Sequence, residues 1–291
     1  MISVALRRRR EWSSKPPLVA GGNSGMADSG ANSACSMAVF VGSCDRTRDV
    51  FLLVSKTFLK WWRNCPYPRY VGQNTLASGT EYGGFEPVLS PVQTWSRELF
   101  DQISRLREEY VLLVLDDFAI TRAVDGERIQ YLLGLMKARE LSYLRLIEIQ
   151  RSWLVRMASG LWSMLTGREV IRLPDGIPYY SSLQMAIWRR EHLLSMLAAG
   201  TGKSIWEFEH LRAPGVVHYA VTGRAPIRYR HLVEKGRWLP DAGAILGRQG
   251  LSFDAGTRPV WPPRYRLRMA IDKLIFSMIG YAWMRSKRIF L

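Results

Sequence analysis

Tyr110–Leu115 is the segment that most restricts the fold of this chain. It is six consecutive apolar residues, Tyr-Val-Leu-Leu-Val-Leu, closed off by Glu108–Glu109 before and Asp116–Asp117 after. A run this short and this apolar reads as a strand buried on both faces, the kind found in parallel sheets covered by helices. Parallel neighbours require long crossovers, so helical segments should alternate with further strands. The two aspartates stand at the carboxyl end of the strand, where open α/β sheets bind their ligands.

The rest of the chain supplies that alternation. Met37–Val41 is a second buried strand ending at Gly42–Ser43, followed by helical spacing over 48–62 that Pro66 and Pro68 terminate. Further strands are predicted at 70–72, 87–89, 143–149 and 171–173, and further helices at 95–109, 126–140 and 183–197. Residues 1–36, rich in Gly, Ser, Ala, Asn and Arg, read as a disordered tail, with Met26 and Met37 as possible later starts. The domain is expected over 37–260, with an apolar insertion at 151–165. Residues 261–291 then read as a basic amphipathic helix suited to a membrane surface.

Charge limits the partners. The 291 residues carry a formal net charge of +16, which calls for a polyanion. The positive charge gathers at Arg7–Arg10 and from Arg264 to Arg288, flanking the expected domain. No basic stripe with interleaved aromatics and no nucleic-acid motif accompanies it, so no nucleic-acid partner is expected. Cys35, Cys44 and Cys65 fit no zinc or paired-disulfide pattern, which favours a reducing compartment. No uncharged apolar run reaches the roughly 18 residues of a spanning helix. A cytoplasmic protein, peripheral at the inner face of the membrane, is the expectation.

Three groups could carry chemistry. The pair Asp116–Asp117 could hold a divalent cation (Mn²⁺ or Mg²⁺) against a diphosphate, although two solvated acids opening a turn would look the same. Trp206–Glu207–Phe208–Glu209 offers a carboxylate among aromatics, fit to deprotonate a hydroxyl, although taken alone such a stretch is more often an ordinary amphipathic turn with exposed glutamates. Gly200–Thr201–Gly202–Lys203–Ser204 resembles the end of a phosphate-binding loop. Leu197 stands where that loop needs its first glycine, and a helix precedes it where a strand should, so a glycine cap is the better account. The histidines show no ligand spacing; His218 could complete a metal site or sit in the core.

Seven stretches in order, VGSCDR (41–46), KWWRNCPYP (60–68), TWSREL (94–99), EEYVLLVLDDF (109–118), SSLQMAIWRREHLL (181–194), WEFE (206–209) and RHLVEKGRW (230–238), resemble a family of bacterial glycosyltransferases of polysaccharide-synthesis loci. The resemblance implies a GT-A-like, Rossmann-type α/β fold with a mixed, mostly parallel sheet flanked by helices. It also implies a nucleotide-sugar donor and a glycan or polyprenyl-diphosphate-linked acceptor. Carried over, Ser43 and Asp45 line the nucleotide site with Trp95 nearby, and Asp116 and Asp117 form the acidic motif with Asp117 the metal ligand. Gln184 and Trp188 face sugar or acceptor, and Lys235 and Gly236 meet the diphosphate. Glu209, or else Glu207, is the base. The sequence departs from the motif at His231, where a smaller amide is expected. Two rival readings are a P-loop kinase or NTPase using Gly202–Lys203–Ser204, and a non-catalytic membrane-associated binding protein.

Overall fold

Alternation along β1 (Met37–Gly42) decides how the protein is layered. Met37, Val39 and Val41 pack into one apolar cluster with Phe51, Phe58 and Ile129, while Ala38 and Phe40 pack into another with Leu99, Ile103 and Leu193. β4 (Tyr110–Leu115) divides in the same way, Tyr110, Leu112 and Val114 against Val111 and Leu113. The period of two places successive side chains on opposite faces of the sheet, and both faces are covered. The computed structural model describes residues 36–147, 169–174, 177, 179–222, 224–256 and 258–279.

One face carries α1 (Arg48–Trp61) and α3 (Gly126–Ala138), and the other carries α2 (Trp95–Ser104) and α4 (Arg190–Ala199). The central sheet includes β2 (Arg69–Gln73), β3 (Glu86–Leu89), β6 (Tyr143–Arg145), β7 (Val170–Arg172), β8 (Ala186–Arg189) and β9 (Tyr219–Val221). Its strand order is β3-β2-β1-β4-β8-β6-β9-β7. β3, β2, β1 and β4 are parallel; β8 runs antiparallel to both β4 and β6, β9 is parallel to β6, and β7 opposes β9. This is the mixed, mostly parallel sheet flanked by helices that the sequence predicted. From β1 the chain builds outward through β2 and β3, then returns to place β4 on the other side of β1. The strand order therefore reverses between β1 and β4, and the carboxyl ends of these strands are where sheets of this kind place their ligands.

Two small ribbons close over that edge. β5 (Phe118–Ile120) pairs antiparallel with β10 (Tyr229–His231), and β11 (Val233–Glu234) with β12 (Arg237–Trp238). Trp238, Leu232 and Ala119 join Val50 and Val54 of α1 and Ile245 of α6 (Ala242–Gly247) in a third apolar cluster, which fixes the ribbons to α1. A single-turn helix, α5 (Ile205–Phe208), follows α4, and α7 (Arg264–Ile279) ends the described chain.

The structure corrects one expected helix. Residues 183–197 are not continuous helix: Ala186–Arg189 is a central strand, and α4 begins at Arg190. Ala186, Ile187 and Trp188 are three adjacent, fully buried residues that need cover on both faces, which a sheet interior provides and an amphipathic helix does not. α2 also stops at Ser104 rather than Glu109, because the chain must turn back to enter β4. The predicted tail (but for Ser36), the 151–165 insertion, Ile149 and the basic residues beyond Ile279 lie outside the described residues.

Candidate functional site at the carboxyl edge of the sheet

The loop after β1 is built around Asp45. Its carboxylate accepts hydrogen bonds from Asn74 N (3.0 Å), Thr75 N (3.1 Å), Thr75 Oγ1 (2.5 Å) and Arg48 Nη2 (2.5 Å), and Asp45 N donates to Asn74 Oδ1 (3.2 Å). Burial alone would raise its pKa, but these donors outweigh it and hold the carboxyl below the usual range. Asp45 thus ties the β1 loop to the end of β2. Ser43 lies beside it, with Oγ 3.3 Å from Thr47 Oγ1.

Parallel pairing sets Gly42 opposite Leu115, so Ser43 and Asp116 follow at the ends of neighbouring strands. The Ser43 and Thr47 hydroxyls hydrogen-bond to Asp116, which favours its charged form. Desolvation, joined by the negative charge of Asp117, overrides them and pushes the Asp116 carboxyl up to about 7. Asp117 is held differently. Its Oδ2 lies 3.0 Å from His231 Nδ1, and its carbonyl accepts from Leu232 N at 2.9 Å. The β5–β10 ribbon makes this meeting possible: Phe118 pairs with His231 and stacks on Tyr229 at 4.3 Å. His231, and no other histidine among the described residues, therefore reaches the acidic pair.

Glu209, in the turn after α5, lies near enough to His231 to feel its charge. It is 8% exposed, and its Oε1 accepts from Ser182 Oγ (2.9 Å) and Leu183 N (2.8 Å). Burial raises its pKa against those two donors and against the positive charges of Arg145 and His231. Burial likewise pushes the Tyr229 phenol up, with help from the negative charges of both Asp117 and Glu209. Asp117, His231, Tyr229 and Glu209 consequently share one electrostatic neighbourhood, assembled from β4, β10 and the turn after α5.

Behind Glu209 a buried frame fixes the 179–183 segment. Arg145 donates from Nε to Tyr143 Oη (3.3 Å) and from Nη2 to the carbonyl of Tyr179, and Tyr143 Oη donates to Ser182 O (2.9 Å). Arg212, Tyr180, His218 and Tyr143 stack in a column, at 4.4, 4.6 and 4.3 Å between successive members. His218 Nε2 meets His192 Nε2 at 2.8 Å. Both imidazoles are desolvated, which lowers His192 to about 4 and His218 to about 3, the latter also through its neighbours' positive charge. His218 is a fully buried core residue with both ring nitrogens engaged, Nδ1 at 3.1 Å from Tyr180 O and Nε2 at 2.8 Å from His192 Nε2.

No family model matches the chain, and no curated protein does. Among solved structures, 2-C-methyl-D-erythritol 4-phosphate cytidylyltransferase from Thermus thermophilus aligns at 10% identity over 74% of this chain and 98% of that one, with a TM-score of 0.43. Staphylococcus aureus TarS 1–349 in complex with UDP aligns at 12% identity over 67% and 59%, with a TM-score of 0.40. Glucosyl-3-phosphoglycerate synthase from Mycobacterium tuberculosis, solved with phosphoglyceric acid, aligns at 16% identity over 78% and 87%, with a TM-score of 0.34.

The remaining predicted residues divide. Trp95 opens α2 at this edge; its Nε1 donates to Lys203 O (2.9 Å) and its ring packs edge-on to Phe208. Gln184 stays half-buried beside Ser182. Lys235 and Gly236 are the two left-handed residues (φ 48° and 73°) of the β11–β12 turn, as a two-residue hairpin of this type demands. Gly236 lines a depression of about 450 Å³ with Arg46, Asp49, Trp238, Asp254 and Arg258. Two assignments are corrected. Trp188 faces no crevice: it is fully buried in the β8 core, pairing with Val111 and Tyr143. Glu207 is no base: its carboxylate caps α5, accepting from Ser204 N (2.8 Å) and Ser204 Oγ (2.7 Å), and those bonds lower its pKa. The Gly202–Lys203–Ser204 segment follows α4 and leads into that single turn, with Gly200 as the α4 C-cap, so it cradles no phosphate in the manner of a P-loop.

Sequence reasoning passed over Arg145, Ser182, Tyr229 and Arg46. A charged residue inside the apolar stretch Tyr143–Leu146 was the available signal for Arg145, since a buried guanidinium must serve carbonyls or acids. Ser182 lies within the quoted SSLQ stretch. Tyr229 carries no signal short of the ribbon that positions it.

Proposed function

We propose that the protein is a glycosyltransferase that moves a sugar from a nucleotide-sugar donor to a hydroxyl of a glycan or lipid-linked glycan. One observation carries the reading. At the strand-order reversal, an acidic pair engaged by His231 shares one electrostatic neighbourhood with a buried glutamate of raised pKa.

The nucleoside would lie over the β1 and β2 loops, near Ser43 and Asp45. The diphosphate would run toward Asp117, with Lys235, Gly236 and the side chain of Arg46 on its flank. Mn²⁺ or Mg²⁺ suits the Asp117 carboxylate and His231 imidazole, which lie within one ligand's reach of each other. Among the described residues no group of three His, Cys, Asp or Glu side chains gathers, so diphosphate oxygens and water would complete the shell, as is usual for these ions. When bound, such an ion neutralises charge on the departing diphosphate. Asp116 backs Asp117 from the end of β4, and a bound cation would favour its ionised form.

Glu209 acts as the base. Its ionised carboxylate takes the acceptor hydroxyl proton as that oxygen bonds to the anomeric carbon. The bond from that carbon to the diphosphate breaks, and its electron pair leaves with the nucleoside diphosphate. Ser182 Oγ and Leu183 N hold Oε1 in place. A raised pKa brings a glutamate nearer the working pH, where a base is most effective. Inversion at the anomeric carbon is the expected course.

α7 would hold the enzyme at an anionic membrane surface, peripheral to the inner leaflet. Leu267, Met269 and Ile271 are exposed on it among Arg264, Arg266 and Arg268, of which Arg266 is ion-paired with Asp241 at 2.6 Å. Each such charge is worth about 1 kcal/mol near anionic lipid. Among the described residues no helix is long and apolar enough to cross a membrane.

A thermal-shift screen of UDP-, GDP- and CMP-sugars, with and without Mn²⁺, tests the donor site. A ligand that binds only the native state raises stability by about 2.7 kcal/mol at a hundred times its Kd. A shift of the melting point by at least one nucleotide sugar is expected, and no shift under any metal condition would remove the reading.

A further inference from the structure

α5 exposes an indole that its fold has no use for. Trp206 is 56% exposed on a single helical turn whose other aromatic, Phe208, is fully buried. The turn is rigidly placed. Ser204 and Glu207 cap it reciprocally, Phe208 packs edge-on to Trp95 at 5.2 Å, and Trp95 Nε1 is tied to Lys203 O. An indole displayed on a fixed turn loses little freedom when it binds a partner, and it offers a flat apolar face in water.

Its position gives that face a purpose. Glu209 continues the helical backbone at φ −61° and ψ −15°, three residues after Trp206. Residues three apart on a helix are surface neighbours, with Cβ atoms about 5–6 Å apart. Glu209 N continues the turn by donating to Ile205 O, while its carboxylate is held on Ser182 Oγ and Leu183 N beside that turn. A sugar that presents a hydroxyl to Glu209 is thus within a ring's width of the indole. Ile205, 40% exposed, extends the apolar surface on the same turn.

We infer that Trp206 is the acceptor platform of the site: a pyranose ring of the acceptor stacks its C–H face on the indole while one of its hydroxyls reaches Glu209. This rests on the glycosyltransferase reading and adds to it the residue that holds the acceptor ring. Trp206 positions the acceptor and touches neither donor nor diphosphate.

The test uses the full chain, with methyl α- and β-D-glucopyranosides, galactopyranosides and mannopyranosides as probes. Their binding is read by saturation-transfer NMR in the presence of the nucleoside diphosphate that gives the largest thermal shift. At least one glycoside should bind the wild type, Trp206→Ala should weaken it on the order of tenfold, and Trp206→Phe should restore most of the loss. The donor thermal shift should be the same in all three proteins. The inference is overturned if no glycoside binds the wild type, if Trp206→Ala binds as well as the wild type, or if its loss falls on anionic vesicles instead of sugars. A missing donor shift in the wild type would be a separate failure, that of the glycosyltransferase reading itself.

Discussion

Replacing Glu209 in two ways separates its chemistry from its structural service. Glu209→Gln keeps a carbonyl oxygen where Ser182 Oγ and Leu183 N donate, at 2.9 and 2.8 Å. It removes only the ability to take a proton. Because burial already disfavours the charged carboxylate, the neutral amide should cost no more than about 1 kcal/mol of stability. Loss of a positioned base typically lowers the rate about 10²- to 10⁴-fold, so kcat for release of nucleoside diphosphate from the donor should fall by that order. Donor affinity should hold. Glu209→Ala instead strands two buried donors at about 1–3 kcal/mol each, some 2–6 kcal/mol together. At about 2–4 °C per kcal/mol for a domain of this size, its melting point should drop by roughly 5–20 °C. Diphosphate release and thermal melts on both variants measure this. If Glu209→Gln retains activity within threefold of wild type while Glu209→Ala melts early, Glu209 is a structural acid and the proposed base step is wrong.

The pH dependences carry opposite signs at two sites. His192 and His218 titrate near 4 and 3 in the fold against about 6.5 when unfolded, so the unfolded chain protonates first, and each imidazole subtracts about 2 kcal/mol between pH 6.5 and 5. Asp116, raised to about 7 from 3.8, does the reverse, adding roughly 2 kcal/mol of stability as pH falls from 7 to 5. Relative to wild type, His192→Gln should lose less stability over this range and Asp116→Asn should lose more, as denaturant melts at both pH values will read; parallel profiles for all three proteins would contradict these environments. Activity should fall in acid at a pH above the ordinary glutamate range, because Glu209 must be ionised to accept a proton. Finally, reversing Arg264 and Arg268 to Glu, with the Arg266–Asp241 pair left intact, should sharply reduce sedimentation with phosphatidylserine vesicles and leave the donor thermal shift unchanged; unchanged sedimentation would remove α7 as the anchor.

Elements that bury both faces of a strand could be read from the sequence, because nothing but a covered sheet accommodates them. Tyr110–Leu115 and Met37–Gly42 fall where their apolar runs placed them. The same rule, applied to Ala186–Ile187–Trp188, would have found β8. Helical spacing in the following Leu193, Met196 and Leu197 obscured it, and with it the burial of Trp188. At the site, Asp116 and Asp117 were legible because a strand end fixes them locally. Glu207 and Glu209 were not separable by sequence, since both flank Phe208 and only tertiary contact decides which one caps and which one faces Ser182. His231 illustrates the same limit. It lies 114 residues from Asp117, and only the pairing of β10 with β5 brings it to 3.0 Å.

The most direct measurement is a crystal structure of the protein with Mn²⁺ and the nucleoside diphosphate selected by the thermal-shift screen. The account predicts the diphosphate at the carboxyl ends of β1 and β4, with its bound ion contacting the Asp117 carboxylate and the nucleoside over the Ser43–Asp45 loop. A diphosphate lodged at Gly202–Lys203–Ser204, or anywhere away from Asp117, would contradict it.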